Sequence, residues 1–82
     1  MKLSKNSDEF LLTSQEFLSA DNSINYETVN EYCGFDKMTL YSVLDELVQF
    51  GYIEFGYMGL GQNYRYEYQK EFFLTDKGKN YS

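Results

Sequence analysis

The spacing of apolar side chains changes abruptly at Gly51, and no other feature restricts the fold as much. Before it, Leu40, Val43, Leu44, Leu47 and Val48 recur at three and four, which places them on one stripe of a helix. After it, Ile53, Phe55 and Tyr57 alternate with Glu54 and Gly56, the two-residue period of a strand. A second alternating run, Tyr64, Tyr66 and Tyr68, follows the turn Met58-Gly59-Leu60-Gly61-Gln62-Asn63. Two such runs about a glycine-rich turn predict a β-hairpin over about 52–57 and 64–74, since Phe72 and Leu74 keep the parity of the tyrosines. Lys70 breaks that face, at a bulge or a sheet edge.

Helical signals fill the first half. Ser7 is the predicted N-cap of a helix over about 8–20, with Asp8 and Glu9 at the positive end of its dipole. Phe10, Leu11, Phe17 and Leu18 supply the stripe. Asp21-Asn22-Ser23 ends it, and Ile24 is predicted as a very short extended piece. Asn25 caps a second helix over 26–33 with Val29, Tyr32 and Cys33 as its apolar positions. Gly34 suits the left-handed C-terminal position. Asp36 caps a third helix over 37–50, closed by Gly51. Thr75 or Asp76 starts a last helical turn through Lys79.

Two short helices joined through Gly34-Phe35-Asp36 have the shape of a helix-turn-helix, with Val29, Phe35, Leu40 and Val43 fixing their angle. The segment Leu44-x-x-Leu47-x-x-x-Gly51-Tyr52-Ile53, followed by Phe73-Leu74-Thr75-Asp76-Lys77-Gly78, resembles the winged helix-turn-helix superfamily. Its members end the third helix in a leucine-rich, glycine-terminated segment and leave the wing through Leu-Thr-x-x-Gly. The likeness spans about residues 8–79 and resembles small bacterial or phage-like domains. It implies an α+β winged helix in the order α-α-α-β-β, and a DNA-binding regulator of transcription. The third helix then lies in a major groove with Lys37, Met38, Tyr41, Ser42 and Asp45 toward the bases, and the wing residues Gln62, Asn63 and Arg65 on backbone or minor groove. The bland alternative is an exposed helix face and hairpin tip.

Two features depart from that pattern. Asn30 stands where such domains carry a small residue, and if buried it needs a partner. Charge is the other. The chain of 82 residues carries a net charge of −6. Between Tyr26 and Phe50, Glu27, Glu31, Asp36, Asp45 and Glu46 face a single base, Lys37, whereas phosphate binding rests on Lys and Arg. Lys2, Lys5, Arg65, Lys70, Lys77 and Lys79 lie outside that stretch, and a wing-and-terminus patch is one way for them to reach phosphate. The competing expectation is an acidic protein-binding module on the same scaffold, one version of which occupies another protein's nucleic-acid site. Nine Tyr and seven Phe exceed what so small a core buries. Tyr57, Tyr64, Tyr66 and Tyr68 are therefore the expected partner interface, most simply of a homodimer.

Other classes are disfavoured. There is no His, so a nucleophile lacks its usual base. Glu27 and Glu31 read as a solvated helix face rather than an acid–base pair. Neither an enzyme, a cofactor, a metal nor a small-molecule ligand is expected. Cys33 is the one cysteine, expected to be a buried structural thiol in a reducing cytoplasm. No run is long and apolar enough for a membrane span. Polar Asn6-Ser7-Asp8-Glu9 after Met1–Lys5 leaves no apolar core for a secretory signal.

Overall fold

Each predicted helix start has a polar side chain poised to cap it, and three of the four starts fall where the sequence places them. A computed structural model describes residues 3–17, 23–55 and 69–82. Within them the order is α1 (Lys5–Ser14), a 3-10 turn (Gln15–Phe17), β1 (Ser23–Asn25), α2 (Tyr26–Cys33), α3 (Lys37–Gln49), β2 (Ile53–Phe55), β3 (Glu71–Leu74) and α4 (Asp76–Lys79). The class is α+β, with a small antiparallel sheet ordered β1-β3-β2. Among the described residues no helix is long and apolar enough to cross a membrane.

Asn25, Asp36 and Thr75 cap α2, α3 and α4 through their side chains. Gly34 and Gly51 take positive φ, 75° and 81°, as a left-handed helix exit requires. The first helix differs from expectation. Its N-cap is Ser4, whose hydroxyl accepts from the Ser7 backbone N–H at 3.2 Å. Ser7 lies inside the helix and fully buried, because its hydroxyl donates to the Glu46 carboxylate of α3. Ser4 donates to the same oxygen at 2.8 Å. These hydroxyls hold the Glu46 carboxyl below its ordinary range. The helix also ends earlier than residue 20. Ser14 turns its hydroxyl back onto the Phe10 carbonyl at 2.8 Å, and the next three residues tighten into the 3-10 turn. Leu18 lies outside the described residues.

The sheet carries one strand more than the predicted hairpin. β1 pairs with β3, setting Ile24 opposite Phe72, and β2 pairs with β3, setting Ile53 opposite Leu74. The described parts of the predicted strands are 53–55 and 71–74; the turn and Tyr57, Tyr64, Tyr66 and Tyr68 lie outside the described residues. Lys70 precedes β3 rather than interrupting it. Its carbonyl accepts from the Tyr26 N–H at 2.9 Å and its ammonium meets Glu27 at 3.2 Å.

One face of the sheet closes on the helices. Phe72 sits between Phe10 of α1 and Phe55 of β2, with ring centroids 5.9 and 6.1 Å apart. Leu11, Val29, Leu40, Val43, Leu44 and Leu47 fill the rest. On α2 the buried side runs Tyr26–Val29, with Cys33 half-buried behind. Tyr32, expected in the core, is 72% exposed, because about 100° per residue turns it off that line.

The C-terminal segment closes the fold from outside. Thr75 bonds to the Gly51 and Tyr52 carbonyls, and Gly78 packs so closely that a Cβ would lie 2.1 Å from the Tyr52 oxygen. Gln15 donates to the Gly78 and Tyr81 carbonyls, and the Tyr81 hydroxyl donates to Asp8 at 2.5 Å. Two outcomes follow. Gly78→Ala should lose about 2 kcal/mol or more of stability in urea unfolding, because backbone must move to admit the methyl. A loss below about 0.5 kcal/mol contradicts this packing. The bond to Asp8 holds the Tyr81 phenol at about 12, against 10.0 for an ordinary tyrosine. The folded state keeps that proton longer than the unfolded one. Its stabilising effect is therefore whole below pH 10 and disappears as pH rises toward about 12. A spectrophotometric titration of Tyr81→Phe against the parent should lose a tyrosine that ionises at about 12; loss of one ionising near 10 refutes the bond.

Candidate interface on α2 and α3

The turn between α2 and α3 is held by one side chain. The Asn30 amide donates to the Phe35 carbonyl at 2.9 Å, while its oxygen accepts from the Phe35 N–H at 3.0 Å. Its backbone carbonyl accepts from the Gly34 N–H at 2.7 Å. The polar residue that departs from the expected pattern is thus half-buried with both its amide nitrogen and its amide oxygen bonded to Phe35, and it clamps the turn. Phe35 then packs against the core, and Asp36 begins α3 by accepting from the Thr39 N–H at 2.8 Å. That bond and the Thr39 hydroxyl lower the Asp36 carboxyl below its usual range.

α3 divides cleanly. Leu40, Val43, Leu44 and Leu47 are buried, while Lys37, Met38, Ser42 and Asp45 are exposed and Tyr41 is half-buried. Four of the five residues expected to read bases therefore lie off the core stripe, Met38 being 82% exposed, while Tyr41 packs partly against the core. Between α2 and α3 runs an open groove of about 410 Å³, floored by Tyr26 and Leu40 and edged by Glu27, Glu31, Lys37 and Tyr41. It joins a cation, carboxylates and aromatic rings at a surface, an arrangement suited to contact with a macromolecule.

The expected partners of that face are not all brought together. Gln62, Asn63 and Arg65 lie outside the described residues. The described lysines are spread. Lys37 opens α3, Lys70 pairs with Glu27 at the start of α2, and Lys77 donates to the Phe50 carbonyl at 2.8 Å while standing over the Tyr52 ring. Lys77 thereby meets the negative end of α3, roughly 19 Å from Lys37 by the rise of a thirteen-residue helix. Cys33 is half-buried; burial pushes its thiol up more than the Thr13 hydroxyl lowers it. Among the described residues no three His, Cys, Asp or Glu side chains cluster as metal ligands.

Sequence reasoning missed Tyr32 as an exposed ring. The signal was available in its offset from Val29 and Cys33 around a short helix. No family model matches the chain, and no curated protein or solved structure matches it.

Asn30→Ala should destabilise the fold by about 1–2 kcal/mol, because it leaves the Phe35 peptide without its partners. Chemical denaturation measures this. Stability equal to the parent's would mean that the amide does not hold the turn.

Proposed function

We propose that the chain is a winged helix-turn-helix domain that binds duplex DNA through the exposed face of α3 and regulates transcription. The observation that carries the reading is the clamped turn. Gly34 and Asn30 fix α3 against α2, while the opening of α3 presents Lys37, Met38 and Ser42 outward. The antiparallel pairing of β2 with β3, after α3, supports reading these strands as the wing.

In this reading Lys37 meets a phosphate or a guanine edge, and Ser42 hydrogen-bonds to a base. Met38 and Tyr41 lie against thymine methyl groups, and Asp45 accepts from a cytosine amine. Gln62, Asn63 and Arg65 contact backbone or minor groove from the segment between β2 and β3. A dimer doubles the contacts on a two-fold site. The competing reading is a protein-binding module, possessing a specific support of its own: Glu27 and Glu31 edge the groove beside α3, and the chain carries −6 overall. Such a module occupies the basic surface of another protein.

Duplex binding measured across salt concentrations separates the two. The DNA reading expects affinity to fall steeply with salt. Lys37→Ala and Arg65→Ala should each lower the slope of log affinity against log salt by about 1. Absence of binding at about 50 mM salt refutes the DNA reading and leaves the protein-binding one.

A further inference from the structure

Among the described residues three large apolar side chains stand exposed: Leu12, Tyr32 and Met38. Two of them share one hollow. Leu12 and Tyr32 line an open depression of about 490 Å³ together with Thr13, Glu16 and Phe17. It lies between α1 with its 3-10 turn and the C-terminal half of α2, away from the groove beside α3.

The hollow has the character of a prepared contact. Tyr32 is 72% exposed, yet its ring is held edge-on against Phe17, centroids 5.2 Å apart at 71°. A ring already fixed in place loses little freedom when covered, which is how aromatic anchors bind well. A singly exposed aromatic side chain needs no explanation, but an exposed ring and an exposed leucine across a concave floor present joined apolar area.

The surrounding charge restricts the occupant. Glu16 lines the hollow, and Glu9 lies one turn before Leu12, close enough to Cys33 to act on its thiol, whereas Glu31 edges the groove beside α3. Lys5, a further turn back, is the nearest cation along α1, whereas Lys37, Lys70 and Lys77 are placed on the other groove, on Glu27 and on the Phe50 carbonyl. A two-fold contact of two copies here would set these carboxylates against their own counterparts, in chains that each carry −6. Phosphate, whether of nucleic acid or lipid, is repelled for the same reason.

We infer that the hollow between α1 and α2 docks a basic segment of a partner protein, with an aliphatic side chain seated against Leu12 and Tyr32 and neighbouring Lys or Arg side chains meeting Glu9 and Glu16. A guanidinium over the Tyr32 face adds a cation–π contact. This surface is separate from the exposed face of α3, so its occupation is compatible with DNA on that face and equally with its absence.

The test is a displayed library of short random peptides, selected on the intact chain and counter-selected on Tyr32→Ala. Enriched peptides are expected to combine Lys or Arg with Leu, Ile or Met. They should shift the amide resonances of Leu12, Thr13, Glu16, Phe17 and Tyr32, bind more weakly as salt rises, and lose about tenfold or more in affinity to Tyr32→Ala. The double change Glu9→Lys with Glu16→Lys should weaken them as well while leaving the fold intact by circular dichroism. Failure to enrich peptides overturns the inference, as does enrichment of acidic or neutral ones, or shifts confined to other residues. A dimer that sedimentation shows to dissociate in Tyr32→Ala assigns the hollow to a second copy and overturns it too. Duplex DNA affinity should be the same in Tyr32→Ala and the parent. A loss there places the ring at the α3 surface and refutes the separate site.

Discussion

The pair of hydrogen bonds between the Asn30 amide and the Phe35 peptide sets the angle on which the helical half depends. A turn of three residues leaves backbone groups on both sides of the bend in need of partners. Gly34 supplies the left-handed step, but a single such residue does not fix the direction in which the chain leaves it. Asn30 does, by accepting from and donating to the same downstream residue. Phe35 is thereby turned into the core and Asp36 is delivered to the start of α3. With the start fixed, Leu40, Val43 and Leu44 meet Val29 and the α1 stripe, and the opposite side of α3 is left facing solvent.

The acidic surplus looks different once its members are located. Asp36 caps α3, Glu46 joins the start of α1 to α3, Glu27 pairs with Lys70, and Asp8 receives the Tyr81 hydroxyl. Several carboxylates that count against phosphate binding in the sequence are thus engaged in holding elements together. Glu9 and Glu16 belong to a different group. They lie about the α1–α2 hollow, and there the charge has consequences for what the surface will accept.

The parts legible in the sequence are those decided by neighbours along the chain. Asn25, Gly34, Asp36, Gly51 and Thr75 act within a few residues of themselves, so α2, α3 and the last helical turn fall close to where the pattern places them. Ser7 is the contrasting case. Locally it is as good a cap as Ser4, and what decides between them is Glu46, 39 residues away. The strand β1 is equally non-local: three residues around Ile24 are extended because Phe72 and its neighbours lie beside them. The alternation of Phe72 and Leu74 correctly marked their buried side, but nothing along the chain marked β1 as their second partner. The outward face of α3 was legible from its leucine spacing. The hollow at Tyr32 was not, since it forms only when α1 and α2 meet.

The sheet order has a consequence for how the molecule comes together. Its middle strand, Glu71–Leu74, is the last of the three in the chain, and among the described strands β1 and β2 both bond to it. These pairings wait until that strand is available, and Phe10 waits as long for Phe72. The three helices contain local contacts able to form early, but the core closes through pairs as far apart along the chain as Phe10 and Phe72. Contact order of this kind slows the search for the native state. The pair α2 and α3 therefore gains its backing from the sheet late, rather than maturing as an independent unit.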